Sequence, residues 1–188
     1  MPIVLSEEDV NLLSFPHTDA LVIDANIQDW TIGKILVDTG SSADIIFSST
    51  FDRMNIDRNL LRSADVPLIG FGGKRVNALG KITLLVSIGD LSNPRTEPVT
   101  FDVVEMNYPN NAIFGRGLIN KFEAIIHQLY LCMKLPAIKG VITVRGNQQL
   151  ARDIERGVPP EQRNVHLVEA DKKPPPLKEP KRDKEKTF

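Results

Sequence analysis

The chain has 188 residues, 41% of them hydrophobic and 25% charged, and its 23 Lys and Arg against 24 Asp and Glu leave a formal charge of −1. That length suits one core with appendages rather than two ordinary domains, and the balanced charge provides no global field toward nucleic acid or an anionic membrane. The single cysteine, Cys132, excludes an internal disulfide and a cysteine-cluster metal site, and fits a reducing, intracellular setting.

Residues 1–17 read as a lead-in. Glu7, Glu8 and Asp9 stand where a secretory leader would be basic, and no later stretch approaches the ~18 uninterrupted apolar residues of a membrane span. From residue 20 to 27, apolar side chains recur at alternate positions, Leu21, Ile23, Ala25 and Ile27, the period of a half-buried strand. Polar Gln28-Asp29 predicts a hairpin turn into a second strand over 30–37, which delivers Asp38 where strand gives way to loop. Residues 43–54 predict a strand running into a short helix. Residues 66–76 are apolar at both ends and glycine-rich between, the composition of a hairpin with a flexible tip.

Residues 81–89 alternate again, with Ile82, Leu84, Val86 and Ile88 on one face, and a loop over 94–98 precedes a strand over 99–104. Leu118 and Phe122 are spaced for a helical turn. Two more strand-like runs follow, 123–135 broken near Gln128 and 140–145, then a short helix near 148–156. Many short strands with glycine and proline punctuation predict an all-β barrel or sandwich. Residues 168–188, with Pro174-Pro175-Pro176 and interleaved acids and bases, carry too little apolar surface to pack and read as a linker or tail.

One segment bears chemistry. Asp38-Thr39-Gly40 could be an ordinary turn, since all three residue types favour turns, but it is bracketed by Ile35-Leu36-Val37 and Ile45-Ile46, which presents a polar loop between apolar strands. The three histidines, His17, His127 and His166, lie on separate segments, where surface or strand-edge positions are the default. Cys132 sits among Leu131, Met133 and Leu135 and reads as a small packed side chain, and Trp30 beside the hairpin turn as a partly exposed aromatic.

Three segments, in this order and at this spacing, resemble the retropepsins, the aspartic proteases of retroviruses and retrotransposons: Ile35 to Ser41, the glycine-rich Leu68 to Gly73, and Ile113-Phe114-Gly115-Arg116 followed by Leu118 to Phe122. The flanks, Pro16 to Ile23 and Gly140 to Gln148, are similar to those around the protease in plant gypsy-class polyproteins, so the resemblance covers roughly residues 5 to 170. It implies a closed, retropepsin-like barrel with one short helix after the Gly-Arg pair, forming a symmetric dimer. On this reading residues 1–17 are lead-in, 18–146 the protease domain, and 147–188 a short helix and tail. Phe114 and Gly117 replace the leucine and proline usual in the plant elements, and glycine for proline implies a looser first helical turn.

The same resemblance implies that Asp38 is the catalytic acid and base, with Thr39 locking two loops across a dimer axis and Gly40 leaving room for substrate. Ser41 would donate a hydrogen bond to the carboxylate. Ser41, Ser42 and the hairpin residues Ile69, Gly70, Phe71, Gly72 and Gly73 would contact substrate, and Gly115 and Arg116 would support the loop from beneath. No metal, nucleotide or other cofactor is implied. The implied partners are a second copy of the chain and a polypeptide, its own polyprotein, rather than membrane or nucleic acid, in the cytoplasm or a retroelement particle. The alternative from a different class is an inactive or domesticated protease-derived dimer that binds peptides.

Overall fold

The computed structural model describes residues 2–10, 12–64 and 66–157; the expected tail over 168–188, and His166, lie outside the described residues. The first hairpin forms as its alternation predicts, β1 over Val22–Ile27 and β2 over Trp30–Val37, with Leu21, Ile23, Ala25 and Ile27 all buried. The register slips between Ile23 and Ala25. Lys34, at φ 55°, sits in the resulting bulge of β2, and the alternation there shifts so that Ile32, Ile35 and Val37 point inward.

The chain then makes β3 (Ile45–Phe47), helix α1 (Ser48–Arg53), the small hairpin β4 (Leu68–Ile69) and β5 (Arg75–Val76), the long pair β6 (Ala78–Ile88) and β7 (Arg95–Val104), and β8 (Ala112–Phe114). Among the described residues, six of these strands close into a barrel in the order β1-β2-β8-β3-β7-β6. Two neighbouring pairs, β2 with β8 and β3 with β7, run parallel. Helix α2 (Arg116–Lys121) follows β8 directly, and β9 (Ile125–His127), β10 (Cys132–Ala137) and β11 (Gly140–Arg145) make a separate three-stranded sheet before helix α3 (Gln148–Glu155).

The expected loop over 94–98 is shorter than composition implied, because β7 already begins at Arg95 and pairs with β6 through Pro98 opposite Leu85. Proline is tolerated there because β7 meets β3 only from Asp102 onward, so at Pro98 the strand lacks a second neighbour and the missing N–H breaks no ladder.

The barrel interior is filled by Phe51, Phe101, Phe114 and Phe122, all fully buried with Ile27, Ile35, Ile46 and Leu118, and each such side chain is worth about 1.5–3 kcal/mol in transfer from water. Cys132 is buried on β10, on the side near Asp9, Lys134 and Arg145, and burial pushes its thiol up from its ordinary value. Trp30 is partly exposed at the hairpin turn.

The flanks are bonded into this body. Asp19 is buried, and its carboxylate accepts from Arg152 Nε and Gln148 Nε2, the latter at 2.8 Å. Gln148 also holds Ser14 through both main-chain groups. His17 is a correction to the surface expectation: its side chain is 1% exposed, 3.8 Å from Asp19. Its Nε2 lies 2.9 Å from Leu129 O, which makes Nε2 the protonated nitrogen because a carbonyl only accepts. His127 is half-buried on β9 and packs on Tyr130.

Further upstream, Asp9 is buried against Lys134, Oδ2 to Nζ 2.8 Å. The Lys134 ammonium, outweighing desolvation, holds the Asp9 carboxyl below its ordinary value. A depressed carboxylate contributes stability that is present above its unfolded-state value and lost as pH falls through its folded one. Asp9→Asn is therefore expected to lower the melting midpoint at neutral pH and to flatten its decline below about pH 4, as a calorimetric pH series would register; an unchanged acid limb contradicts this. No helix among the described residues is long and apolar enough to cross a membrane.

Candidate active site

Asp38 leaves β2 at its C-terminal end. Its own N–H is taken by Phe114 O at 2.9 Å, which ties the start of the turn to β8. The turn then closes on itself: Gly40 N donates to Asp38 Oδ1 at 2.8 Å and Ser41 N to Asp38 O at 3.2 Å. The carboxylate is half-buried while Thr39, Gly40 and Ser42 are exposed, so the group is presented to solvent by a turn that holds it in one orientation.

The Ser41 hydroxyl does not reach that carboxylate as expected. It donates to Ala43 O at 2.8 Å and accepts from Ala43 N at 3.2 Å. The reason is local: a serine two residues before a free N–H closes its own short ring more readily than it spans the turn. Among the described residues, the donor to the Asp38 carboxylate is the Gly40 amide.

The Gly-Arg pair contacts this turn directly. Arg116 N donates to Ser41 O at 2.9 Å and its guanidinium to Gly40 O at 2.7 Å. Thr39 O lies at the limit of the same reach, 3.4 Å from Arg116 Nη1. Gly115 passes so close to Ala43 O and Ser41 O that a Cβ would collide with both. Composition gave no sign of a further contributor, Asp44. Buried just after the loop, it accepts from Gly115 N at 2.8 Å and Leu118 N at 3.3 Å through Oδ1. The only available signal was a charged residue within an apolar run.

The glycine-rich segment forms the expected hairpin. Leu68 pairs with Val76 and Ile69 with Arg75, and the tip over Phe71–Gly73 carries Gly72 at φ 81° and Gly73 at φ 78°. Its base, Leu68 and Val76, packs on Phe47, Val104 and Ile113 together with Leu36 and Ile45. That apolar cluster lies beside both strands that flank the Asp38 turn. Tyr108 stacks on Phe47 at 4.8 Å. Among the described residues the hairpin tip makes no hydrogen bond to the Asp38 turn, and Ile69 is 73% exposed.

An L side chain in the left-handed region costs about 1–2 kcal/mol. Gly73→Ala, with nothing within 4 Å of its added Cβ, is therefore expected to disturb the tip and spare the core. The melting midpoint should stay within a few degrees of wild type while affinity for a bound peptide falls several-fold; an equal loss of both would place Gly73 in the fold rather than in the site.

No group of His, Cys, Asp and Glu among the described residues is arranged to hold a metal ion. A groove between β1, the β6–β7 turn and β11, lined by Asp24, Asn26, Asp90 and Arg145, includes none of the expected site residues.

No protein-family model matches the chain, and no curated protein matches it in sequence. Solved structures are similar to it in fold. The retroviral protease-like domain of Ddi1 from Leishmania major aligns with a TM-score of 0.53 at 18% identity, over 70% of this chain and 96% of that one. A retropepsin-like aspartic protease from Rickettsia conorii aligns with a TM-score of 0.43 at 19% identity, over 65% of this chain and 80% of that one. The first of these shows that the closed barrel has the retropepsin-like fold expected from the motifs.

Proposed function

We propose that the chain is an aspartic endopeptidase of a gypsy-class retroelement, active as a homodimer on the polyprotein that contains it. The observation that carries this reading is the Asp38 turn: a half-exposed carboxylate whose flanking amides and carbonyls are tied to β8 and to Arg116. The similarity of fold to the Leishmania domain supports it.

Each chain contributes one such carboxylate, whereas hydrolysis by carboxyl groups alone needs a base and an acid on one water. A second copy related by a twofold axis provides the missing group. Two carboxyl groups close enough to face one water do not both ionise, so the pair shares one proton. The ionised partner takes a proton from water as its oxygen attacks the scissile carbonyl carbon, and the protonated partner gives its proton to the carbonyl oxygen. The resulting diol collapses with cleavage of the C–N bond, and the amine nitrogen takes up a proton. Closure of the Leu68–Val76 hairpin would exclude bulk water and offer main-chain donors to the substrate.

The test is cleavage of a peptide spanning a junction of the polyprotein, followed over a series of chain concentrations. The rate is expected to rise with the square of chain concentration below the dimer dissociation constant and linearly above it. A rate strictly proportional to concentration throughout, from a chain that sediments as a monomer, overturns the dimer. Peptide binding without cleavage at any concentration favours the non-catalytic binding module.

A further inference from the structure

We propose that Asp44 is a positioning residue for the catalytic turn, acting as a bolt between the chain descending from Asp38 and the junction of β8 with α2. The inference rests on the endopeptidase reading for its kinetic consequence, though not for its structural one. Asp44 is 7% exposed. One carboxylate oxygen receives both Gly115 N and Leu118 N, while its main-chain oxygen receives Asp102 N at 2.9 Å from β7. One residue therefore fastens the end of the catalytic loop to two separate walls of the barrel.

What it fastens is the segment that carries Arg116. Gly115 lies against Ala43 O and Ser41 O with no room for a Cβ, and the next residue holds Gly40 O and Ser41 O. A displacement of Gly115 would be passed to Gly40, and from Gly40 N to Asp38 Oδ1, the bond that orients the carboxylate. Gly117 belongs to the same device: a Cβ there would collide with the Asp44 carboxylate. The absence of a side chain at Gly117 is what admits the carboxylate that secures the first turn of α2.

Charge is not what Asp44 contributes. Among the described residues no cation pairs with it; Lys81 is engaged with Asp102 at 2.8 Å. Burial pushes the Asp44 carboxyl up, with the Asp102 charge adding to the effect and the two amide hydrogen bonds opposing it. The useful property is an acceptor oxygen in a fixed place, which an asparagine also offers.

The experiment compares Asp44→Asn, Asp44→Ala and Gly117→Ala by peptide-cleavage kinetics and by backbone amide order parameters from NMR relaxation of the unliganded protein. Asp44→Ala is expected to lower kcat on the order of 10²-fold, the scale of an ångström-sized misplacement, with KM little changed. The Gly40 and Ser41 amides should lose order while those of β6 and β7 keep theirs. Asp44→Asn should retain loop order and a near-normal kcat, and Gly117→Ala, which displaces the carboxylate from the other side, should repeat the loosening even if Asp44→Ala fails to fold. The proposal is overturned if the loop amides are as ordered in folded Asp44→Ala or Gly117→Ala as in wild type, or if Asp44→Asn is as loose as Asp44→Ala. A wild-type protein that cuts no peptide would sink the endopeptidase reading alone, since the order parameters are read without substrate.

Discussion

Replacing Asp38 by asparagine is expected to leave the fold intact and to reduce peptide cleavage by a factor on the order of 10³ or more, within the range attributed to a positioned acid or base. The two halves of that expectation have separate causes. Structurally, the amide has the same shape, its oxygen can still accept from Gly40 N, and the position is only half-buried, so nothing in the turn need rearrange. Chemically, an amide neither takes a proton from water nor passes one to a carbonyl oxygen. A fluorogenic peptide assay beside a thermal melt reads both halves at once. A variant that melts with wild type and keeps a tenth of its activity would place the chemistry elsewhere.

The largest effect on stability is expected at Gly115. The methyl of Gly115→Ala would meet Ala43 O and Ser41 O, main-chain atoms that cannot rotate away as the end of a side chain would. Relief requires moving the catalytic loop or β8, and β8 is clamped between β2 and β3 with Ala112, Ile113 and Phe114 all buried. Overpacking of this kind costs about 3 kcal/mol or more where neither wall yields. For a domain of this size that lowers the melting midpoint by roughly 6–12 °C. The contrast is Gly73→Ala, whose added methyl meets open space. If Gly115→Ala melts within a degree or two of wild type, the loop is softer than its hydrogen bonds imply.

The parts of this fold that were legible in advance are those set by short-range pattern. Alternation over 20–27 and 81–89 identified β1 and β6 and their inward faces, because a strand with one buried side must repeat every second residue. Glycine density marked the 66–76 hairpin, because its tip needs positive φ. The resemblance carried by the Asp-Thr-Gly, glycine-rich and Gly-Arg segments implied that Gly115 and Arg116 lie beneath the Asp38 loop, and these residues do contact Gly40, Ser41 and Ala43.

What escaped was long-range. Asp44 meets Gly115 and Leu118 71 and 74 residues away in sequence, and Asp19 meets Gln148 and Arg152 129 and 133 residues away; no local pattern announces such meetings. The same contacts bury His17, for which a surface or strand-edge position was the default. Pro98 misled for a related reason. Its proline chemistry argued for a loop, whereas its tolerance within β7 depends on which neighbouring strand is missing, a fact of topology alone.

The central claim is that Asp38 from each of two chains forms one catalytic pair. It is tested most directly by mixing wild-type chains with Asp38→Asn chains at fixed total concentration and allowing subunits to exchange. If both carboxylates are needed, activity falls as the square of the wild-type fraction, to about a quarter at equal proportions of a random dimer. Activity that falls only in proportion to that fraction, to about a half, would mean that each chain works with its own carboxylate, and would contradict the account.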